Sequence, residues 1–240
     1  MNHQIIKLIF VTLSFSIINP IFPQNKKNIK SFETKYSETM KLAAKQESFT
    51  VNFKQEIYSA LREKVSLSDG TLSIKKPFSF RFEISSPRKE IYLSNGKSFW
   101  KYIPELKHAQ HLNATSNELG FVQLLTDLSN IKKFYDVQEW NSSKNKETKQ
   151  DINTTLYVKS DAPPPQNDDD IYLRLLPKGD KQQKVLYAVI QMKTGFIQEL
   201  RIVQFNGNRT RLVFEKHLSK QVSNEEFEFT PPQGIVVDKM

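Results

Sequence analysis

The stretch Gly70–Pro104, GTLSIKKPFSFRFEISSPRKEIYLSNGKSFWKYIP, holds three strand signals and a hairpin turn signal. Every second residue from Phe78 to Ile84 is apolar, and the residues between them are polar. Because successive side chains of a β-strand point to opposite faces of the sheet, this alternation predicts a strand with one apolar, mostly aromatic face. Whatever packs against that face decides whether it is a closed core or a binding surface.

The dipeptide Asn95-Gly96 is the clearest turn signal in the chain. Apolar residues precede it from Ile91 and follow it as far as Tyr102. Asn-Gly is favoured in a type I′ turn, in which both central residues need a positive φ. The sequence therefore predicts an antiparallel hairpin at this point.

Helical spacing is found on both sides of this region. Upstream, apolar residues recur every three or four positions in residues 31–45, with Ser31 as the predicted N-cap. Residues 49–57 then alternate as a strand. Downstream, residues 117–128 predict a second helix that is apolar over much of its surface. Gly120 weakens that helix by about 1 kcal/mol relative to alanine.

The second half of the chain is a series of short strand-like runs. They occupy residues 155–159, 171–176, 185–192, 196–205, 209–215 and 226–229, and turns or polar loops join them. The sequence shows neither βαβ alternation nor an internal repeat. It therefore predicts an α+β, mainly β fold, in which an antiparallel meander forms a closed or half-closed barrel.

Composition excludes several classes of function. The chain has 240 residues, a formal net charge of +9 and no cysteine. Its basic residues are scattered over strand-like segments rather than clustered, so we expect no nucleic-acid partner. Without cysteine, the chain has no disulfides, thiolate metal sites or cysteine nucleophiles.

Catalytic and metal-binding motifs are also missing from the sequence. It contains no nucleophile elbow, Walker A, zinc-protease or dinucleotide-binding glycine pattern. His108 and His111 lack a third ligand nearby in sequence, and the aspartates of residues 161–170 lack EF-hand spacing. We therefore expect no enzyme, no catalytic residues, no cofactor and no bound metal.

Residues 1–23 are predicted to be a secretory signal peptide. Lys7 precedes an apolar run, Leu8 to Ile18, that is shorter than the roughly 20 residues needed to span a bilayer. Residues 24–240 are then expected to form a single exported domain. An exported sheet with short apolar helices suits a protein that holds a hydrophobic ligand between the sheet and the helices.

Three motifs, in order, resemble the LolA family of periplasmic lipoprotein carriers. They are GTLSIKKPFSFRF from Gly70, SNGKSFWKYIP from Ser94 and EFEFTPPQGIVVDK from Glu226, and the resemblance extends over residues 31–240. It implies an unclosed antiparallel β half-barrel capped by short α-helices. In that family the helices form a lid over a hydrophobic cavity for the acyl chains of a lipoprotein.

The resemblance also implies which residues bind lipid. Lys76 stands before a proline, where the family often has an arginine that is thought to hold the lid, so Lys76 is the predicted lid-gating residue. Lysine cannot make the planar, two-pronged contacts of arginine. The predicted lipid-binding residues are Phe49, Val51, Phe53, Phe80, Phe82, Trp100, Phe121, Leu124 and Leu125.

The resemblance implies a monomeric chaperone in the periplasm of a Gram-negative envelope. Its partners would be acylated lipoproteins, an inner-membrane ABC-type releasing complex and, where one is present, an outer-membrane receptor lipoprotein. Because the related receptor is itself anchored through an N-terminal cysteine, this cysteine-free chain is predicted to be the carrier. The alternative is a LolA-like binding module that senses lipids or lipoproteins without transporting them.

Overall fold

The computed structural model describes residues 26–112, 124–126, 128–141, 167–178, 184–215 and 221–239. They form one large sheet, and helix α1 (Lys26–Ala44) lies against it. The strands are β1 (Ser48–Ser59), β2 (Lys64–Lys75), β3 (Ser79–Ser86), β4 (Glu90–Asn95), β5 (Phe99–Ile103), β6 (His108–Leu112), β7 (Tyr135–Glu139), β8 (Asp170–Pro177), β9 (Lys184–Gln191), β10 (Ile197–Gln204), β11 (Arg209–Phe214) and β12 (Val236–Lys239). Short 3-10 helices span Pro104–Leu106, Leu128–Lys133 and Asn224–Phe227.

The twelve described strands make an open sheet in the order β12-β6-β5-β4-β3-β2-β1-β11-β10-β9-β8-β7. Neighbouring strands pair antiparallel, except at one edge, where β12 runs parallel to β6. The predicted fold class, a mainly β, unclosed half-barrel capped by helices, is confirmed. The parallel edge pair is the exception to the predicted antiparallel meander.

The sheet is strongly curved. Lys101 of β5 and Lys184 of β9 line the same chamber, although six strands separate β5 from β9 in the sheet order. Strands that are far apart in the order can meet in this way only if the sheet bends round on itself. We call the face inside the bend the inner face and the opposite one the outer face.

The main core lies on the inner face. Directly opposed residues of an antiparallel pair share a face of the sheet. The pairing of Val51 with Leu72, and of Leu72 with Phe82, therefore continues one apolar row across β1, β2 and β3. The same buried cluster reaches β8 and includes Tyr36 and Met40 of α1, so the helix covers this face.

Local predictions differ from the structure at two helical segments. Helix α1 begins at Lys26, so Ser31 lies within the helix and the prediction that it is the N-cap is wrong. Residues 226–229 are not a strand, because Asn224–Phe227 forms a 3-10 helix. Its Phe227 is 3% exposed, so burial of this ring accounts for the alternating pattern that predicted a strand.

The predicted hairpin is present, with a different turn. Strand β4 ends at Asn95 and β5 begins at Phe99. Only Gly96 of the predicted pair has a positive φ, of 85°. The side-chain oxygen of Asn95 instead accepts hydrogen bonds from the backbone N–H groups of Lys97 and Ser98, each at 3.0 Å. Asparagine therefore closes a longer turn through its side chain.

Several predictions fall outside the described residues. These are the signal peptide of residues 1–23, the helix positions Gly120 and Phe121, and the strand of residues 155–159. In the described part of the chain, no helix combines the length and apolar character needed to cross a bilayer.

Candidate functional site

The inner face carries a small cavity beneath the C-terminal end of α1, which we call the closed chamber. Its volume is about 20 Å³. A single water needs about 10–15 Å³, so side chains fill almost all of this space. The closed chamber is lined by Ala43, Gln46, Phe49, Val51, Leu72, Lys76, Leu125, Leu128, Gly195, Phe196, Ile197 and Phe214.

Most of the predicted lipid-binding residues meet in the core around the closed chamber. Val51, Phe53, Phe80, Phe82, Leu124 and Leu125 are all buried in the inner-face cluster, and Phe49 packs against it. Residues 124–126 are helical and belong to the cover of this core. The sequence pattern missed three further members, Leu72, Ile197 and Phe214, although each lies in an alternating strand.

Trp100 lies elsewhere, contrary to its predicted grouping. It is opposite Leu93 on the outer face, where its ring is 4.5 Å from that of His111 and 5.3 Å from that of Phe229. Its neighbour Phe99 takes the inner-face position and is 6% exposed. The alternation of β5 therefore separates two adjacent aromatic residues, and only the hairpin register shows which one faces inward.

Lys76 contacts the end of the covering helix. Its Nζ donates a hydrogen bond of 2.6 Å to the carbonyl oxygen of Ala43. The last carbonyls of a helix have no partner within the helix and carry the negative end of its dipole, so a lysine is favourable there. Lys76 thus joins β2 to the C-terminal end of α1.

A close backbone approach fixes the same end of α1 from the other side. Gly195, in the turn between β9 and β10, has a φ of 74°, and a Cβ there would lie 2.4 Å from the backbone nitrogen of Ala43. Only glycine fits both the conformation and the space. Gln46 adds a hydrogen bond from its side-chain amide to the carbonyl of Thr194.

The middle of α1 is attached to the 3-10 helix Leu128–Lys133. Lys132 forms an ion pair of 3.0 Å with Glu33, and its Nζ lies 4.4 Å from the centre of the Tyr36 ring. Tyr36 is buried, and burial, together with the nearby charge of Glu33, raises its pKa to about 12. Helix α1 and the 3-10 helix therefore form one cover over the inner face.

A stacked aromatic pair lies next to two residues that line the closed chamber, since Phe53 follows Val51 on the inner face of β1 and Phe82 is opposite Leu72. The rings of Phe53 and Phe82 lie 4.3 Å apart and within 8° of parallel. Gly70, opposite Phe53 on β2, permits this arrangement. A Cβ there would lie 2.9 Å from the Phe53 ring and 1.9 Å from the carbonyl oxygen of Glu83.

Beyond this pair the inner face opens into a second cavity, the open chamber, of about 650 Å³. Sites for small molecules occupy roughly 300–1,000 Å³. At Gln55 the inner face changes from apolar to polar side chains. Gln55 is buried, and its side-chain oxygen accepts a hydrogen bond of 2.8 Å from Ser68. The open chamber is lined by Gln55, Ile57, Ser66, Leu67, Ser68, Phe82, Ile84, Pro87, Arg88, Glu90, Tyr92, Lys101, Lys184, Ile202, Gln204 and Thr210.

The two histidines near the sheet edge have neighbours of their own. His108 Nε2 lies 2.8 Å from Asp238 Oδ2 of β12, and His111 stacks on Trp100. Within the described ranges, no three histidine or acidic side chains come close enough together to bind a metal ion.

In comparison with known proteins, the family match and the similar sequences carry the same description, an outer-membrane lipoprotein carrier. The family described as "Outer membrane lipoprotein carrier protein LolA" matches residues 44–155. An outer-membrane lipoprotein carrier protein of Pectobacterium carotovorum is 26% identical over 193 residues, which are 80% of this chain and 81% of that protein. The corresponding protein of Photobacterium profundum is 25% identical over 194 residues, 80% of this chain and 82% of that protein.

Solved structures with a similar course of the chain include a LolA superfamily protein from Nitrosomonas europaea. It has a TM-score of 0.43 and 13% identity, and the match covers 82% of this chain and 97% of that one. A lipoprotein-sorting protein domain from Vibrio parahaemolyticus gives a TM-score of 0.40 and 11% identity, over 81% of this chain and 96% of that one. The resemblance to the LolA family that the sequence motifs predict is confirmed by the family match and the carrier-protein relatives.

Proposed function

From this similarity to the LolA family, we propose that the protein is a periplasmic carrier that shelters the acyl chains of lipoproteins. It would accept them from an inner-membrane ABC-type releasing complex and deliver them to the outer membrane, to a receptor lipoprotein where one is present. The relatives that share about a quarter of its residues are named as outer-membrane lipoprotein carriers. In this role the protein binds and releases its cargo without chemical change.

The observation that carries the proposal is the apolar inner face beneath a separately attached cover. Val51, Phe53 and Phe82 are each at most 2% exposed, so this face is sheltered from water in the structure. The cover above them includes α1, residues 124–126 and residues 128–133, and Leu124 and Leu125 are among its buried contacts. An acyl chain offers the same kind of surface as these side chains and could replace them against the sheet.

The closed chamber must widen to admit cargo, because about 20 Å³ cannot hold an alkyl chain. Burying acyl chain contributes about 0.8 kcal/mol per methylene, so ten methylenes give roughly 8 kcal/mol and micromolar affinity. Displacing the packed cover reduces this gain. A carrier benefits from that reduction, since cargo held by the full burial energy of two or three chains would be released too slowly.

Lys76 suits the role of a latch on this cover. Its hydrogen bond to Ala43 holds the end of α1 down in the closed form. Lysine cannot make the planar, two-pronged contact that an arginine makes, so its hydrogen bond is easier to break. We propose that Lys76 gates the cover and that loss of its hydrogen bond to Ala43 is one step of the opening.

The experiment compares charged substitutions under the cover with one outside it. Phe80→Glu and Leu124→Glu place a carboxylate among buried apolar side chains, whereas Phe78→Glu changes a ring that is 58% exposed. After labelling of lipoproteins with radioactive palmitate, the unaltered protein and Phe78→Glu should co-purify with labelled lipoprotein and transfer it to outer membranes. The two inner-face variants should lose both activities while remaining folded by circular dichroism.

Three results separate the alternatives. Undiminished transfer by folded Phe80→Glu and Leu124→Glu would refute the cavity assignment. Stable binding of labelled lipoprotein without transfer to an acceptor membrane would favour the sensing module. Release of free labelled fatty acid would indicate a lipid hydrolase.

A further inference from the structure

The open chamber is lined in part by charged side chains, which the acyl chains of a lipoprotein do not need for binding. It lies beyond the stacked rings of Phe53 and Phe82, at the opposite end of the inner face from α1. The acyl groups of a lipoprotein are joined through uncharged ester and amide bonds, which gain little from a charged wall. The charges of the open chamber therefore point to a different ligand.

Lys184 is the most informative of these charges. It begins β9, is partly buried and lines the open chamber. In the described part of the chain, no carboxylate lies within ion-pair distance of its ammonium group, and burial lowers its pKa. An ammonium group that has lost water without gaining a counter-ion is unfavourable, and an anionic ligand relieves that cost.

Among the described residues that line the chamber, Glu90 supplies the carboxylate, and it already has partners. It accepts hydrogen bonds from the guanidinium of Arg88 and, at 3.1 Å, from the hydroxyl of Tyr92. Lys101 stands over the ring of Tyr92, with its Nζ 5.2 Å from the ring centre. In this described lining Glu90 balances one of three cations, so positive charge is in excess there.

The wall next to these cations is apolar. Phe82 and Ile84 follow each other on the inner face of β3, and Ile57 and Ile202 line the chamber from β1 and β10. Ile57 is 40% exposed, which is high for an isoleucine on the inner face of a sheet. An alkyl chain against Ile57, Ile84 and Ile202 would remove their exposed surface from water at about 25 cal/mol per Å².

We propose that the open chamber binds a single-chain amphiphile with an anionic head group. The head group lies against Lys184 and Lys101, and the alkyl chain lies along Phe82, Ile84 and Ile202. A carboxylate and a phosphate monoanion both satisfy this chemistry, as in a free fatty acid or an anionic lysophospholipid. The inference does not depend on the proposed carrier role, because it concerns the other side of the Phe53–Phe82 wall.

The test uses the purified full-length protein and the fluorescent probe dansyl-undecanoic acid, with its methyl ester as the uncharged equivalent. Lys184→Met keeps most of the apolar stem and removes the charge. It should weaken binding of the acid about tenfold or more, as expected for loss of a contact to a charged group, and should leave the ester within twofold. Lys97→Met, at an exposed lysine in the turn between β4 and β5 that lines neither chamber, should change neither.

A second variant blocks the space instead of removing the charge. Ser66 is an exposed residue of the open-chamber wall, and Ser66→Trp should abolish binding of acid and ester alike. Displacement of the acid by palmitate, by lysophosphatidylglycerol or by both identifies the head group. Uncharged hexadecanol should compete poorly.

The inference is overturned by any of three results. These are no binding of the acid by the unaltered protein, equal weakening of acid and ester in Lys184→Met, or unchanged binding in Ser66→Trp. Since the readout is probe affinity and not lipoprotein transfer, a failure here leaves the carrier proposal standing, and the reverse also holds.

Discussion

The closed chamber and the open chamber lie on the same strands and differ in what covers them. At the α1 end, Val51 is 1% exposed, and α1 forms a cover with residues 124–126 and 128–133. At the other end, the same strand β1 presents Gln55 and Ile57 to a cavity of about 650 Å³. One face of the sheet thus carries a packed core at one end and an open recess at the other.

The change from packed core to open recess follows the residue types along each strand. On β2 the inner-face positions read Ile74, Leu72, Gly70, Ser68 and Ser66, from apolar to polar. On β1 the opposed series ends in Gln55 and Ile57. The wall of Phe53 and Phe82 stands where the character changes. Burial therefore depends on how far along the strand a residue lies, and not only on which face it occupies.

The largest expected effect comes from removing the wall. Phe53→Ala should lower the free energy of unfolding by about 3–5 kcal/mol, because a fully buried ring leaves a cavity between the two chambers. Urea unfolding followed by fluorescence measures this loss. Phe78→Ala, at an exposed ring just before β3, should stay within about 0.5 kcal/mol of the unaltered protein. Similar losses in both variants would contradict the assignment of Phe53 as a buried ring between the two chambers.

A smaller, pH-dependent effect should come from the cover. Because the pKa of Tyr36 is raised from 10.0 to about 12, the folded state keeps a proton that the unfolded chain has lost. The stabilisation is complete below pH 10 and is lost as the pH rises towards 12, with a total of roughly 2–3 kcal/mol.

Tyr36→Phe removes this titration and keeps the ring. Between about pH 9 and about pH 11.5, the unaltered protein should therefore lose more stability than the variant in urea unfolding. Parallel curves for the two proteins would show that Tyr36 is not held in the buried environment of the cover.

The smallest effect should be local to the latch. Lys76→Met removes the hydrogen bond to Ala43 and should cost about 1–2 kcal/mol. In native-state hydrogen exchange, the variant should exchange faster than the unaltered protein in the last turn of α1, with a smaller change in the strands of the sheet. Lys75→Met is the matched control, since Lys75 donates its bond of 2.6 Å to Asn224 at an exposed position. If both variants change α1 equally, Lys76 does not act as a latch.

Much of the inner face could be predicted from alternation alone. The period of two in β1 and β3 identifies Phe53, Phe80 and Phe82, because a strand with one buried face repeats every second residue. Alternation does not decide between Phe99 and Trp100, which are adjacent and both aromatic. That choice depends on the pairing of β4 with β5, in which Phe99 lies opposite Ser94 and Trp100 opposite Leu93.

The open chamber could not be predicted in the same way. Lys184 and Lys101 are separated by six strands in the sheet order and meet only because the sheet curves. In the sequence, Lys184 is one of many lysines beside an apolar run, and nothing local distinguishes it. The prediction of a strand at residues 226–229 was wrong for a different reason, because Phe227 is buried from a 3-10 helix and an apolar residue between polar ones reads like a strand.

Photo-cross-linking in cells reports which chamber touches the acyl chains of a lipoprotein. Benzoylphenylalanine would be placed at Leu125 in the closed chamber, at Ser66 in the open chamber and at the exposed Phe78. We expect cross-links to palmitate-labelled lipoprotein from Leu125 and none from Phe78 or Ser66. Lipoprotein cross-links from Ser66 or Phe78 without any from Leu125 would contradict the cavity assignment.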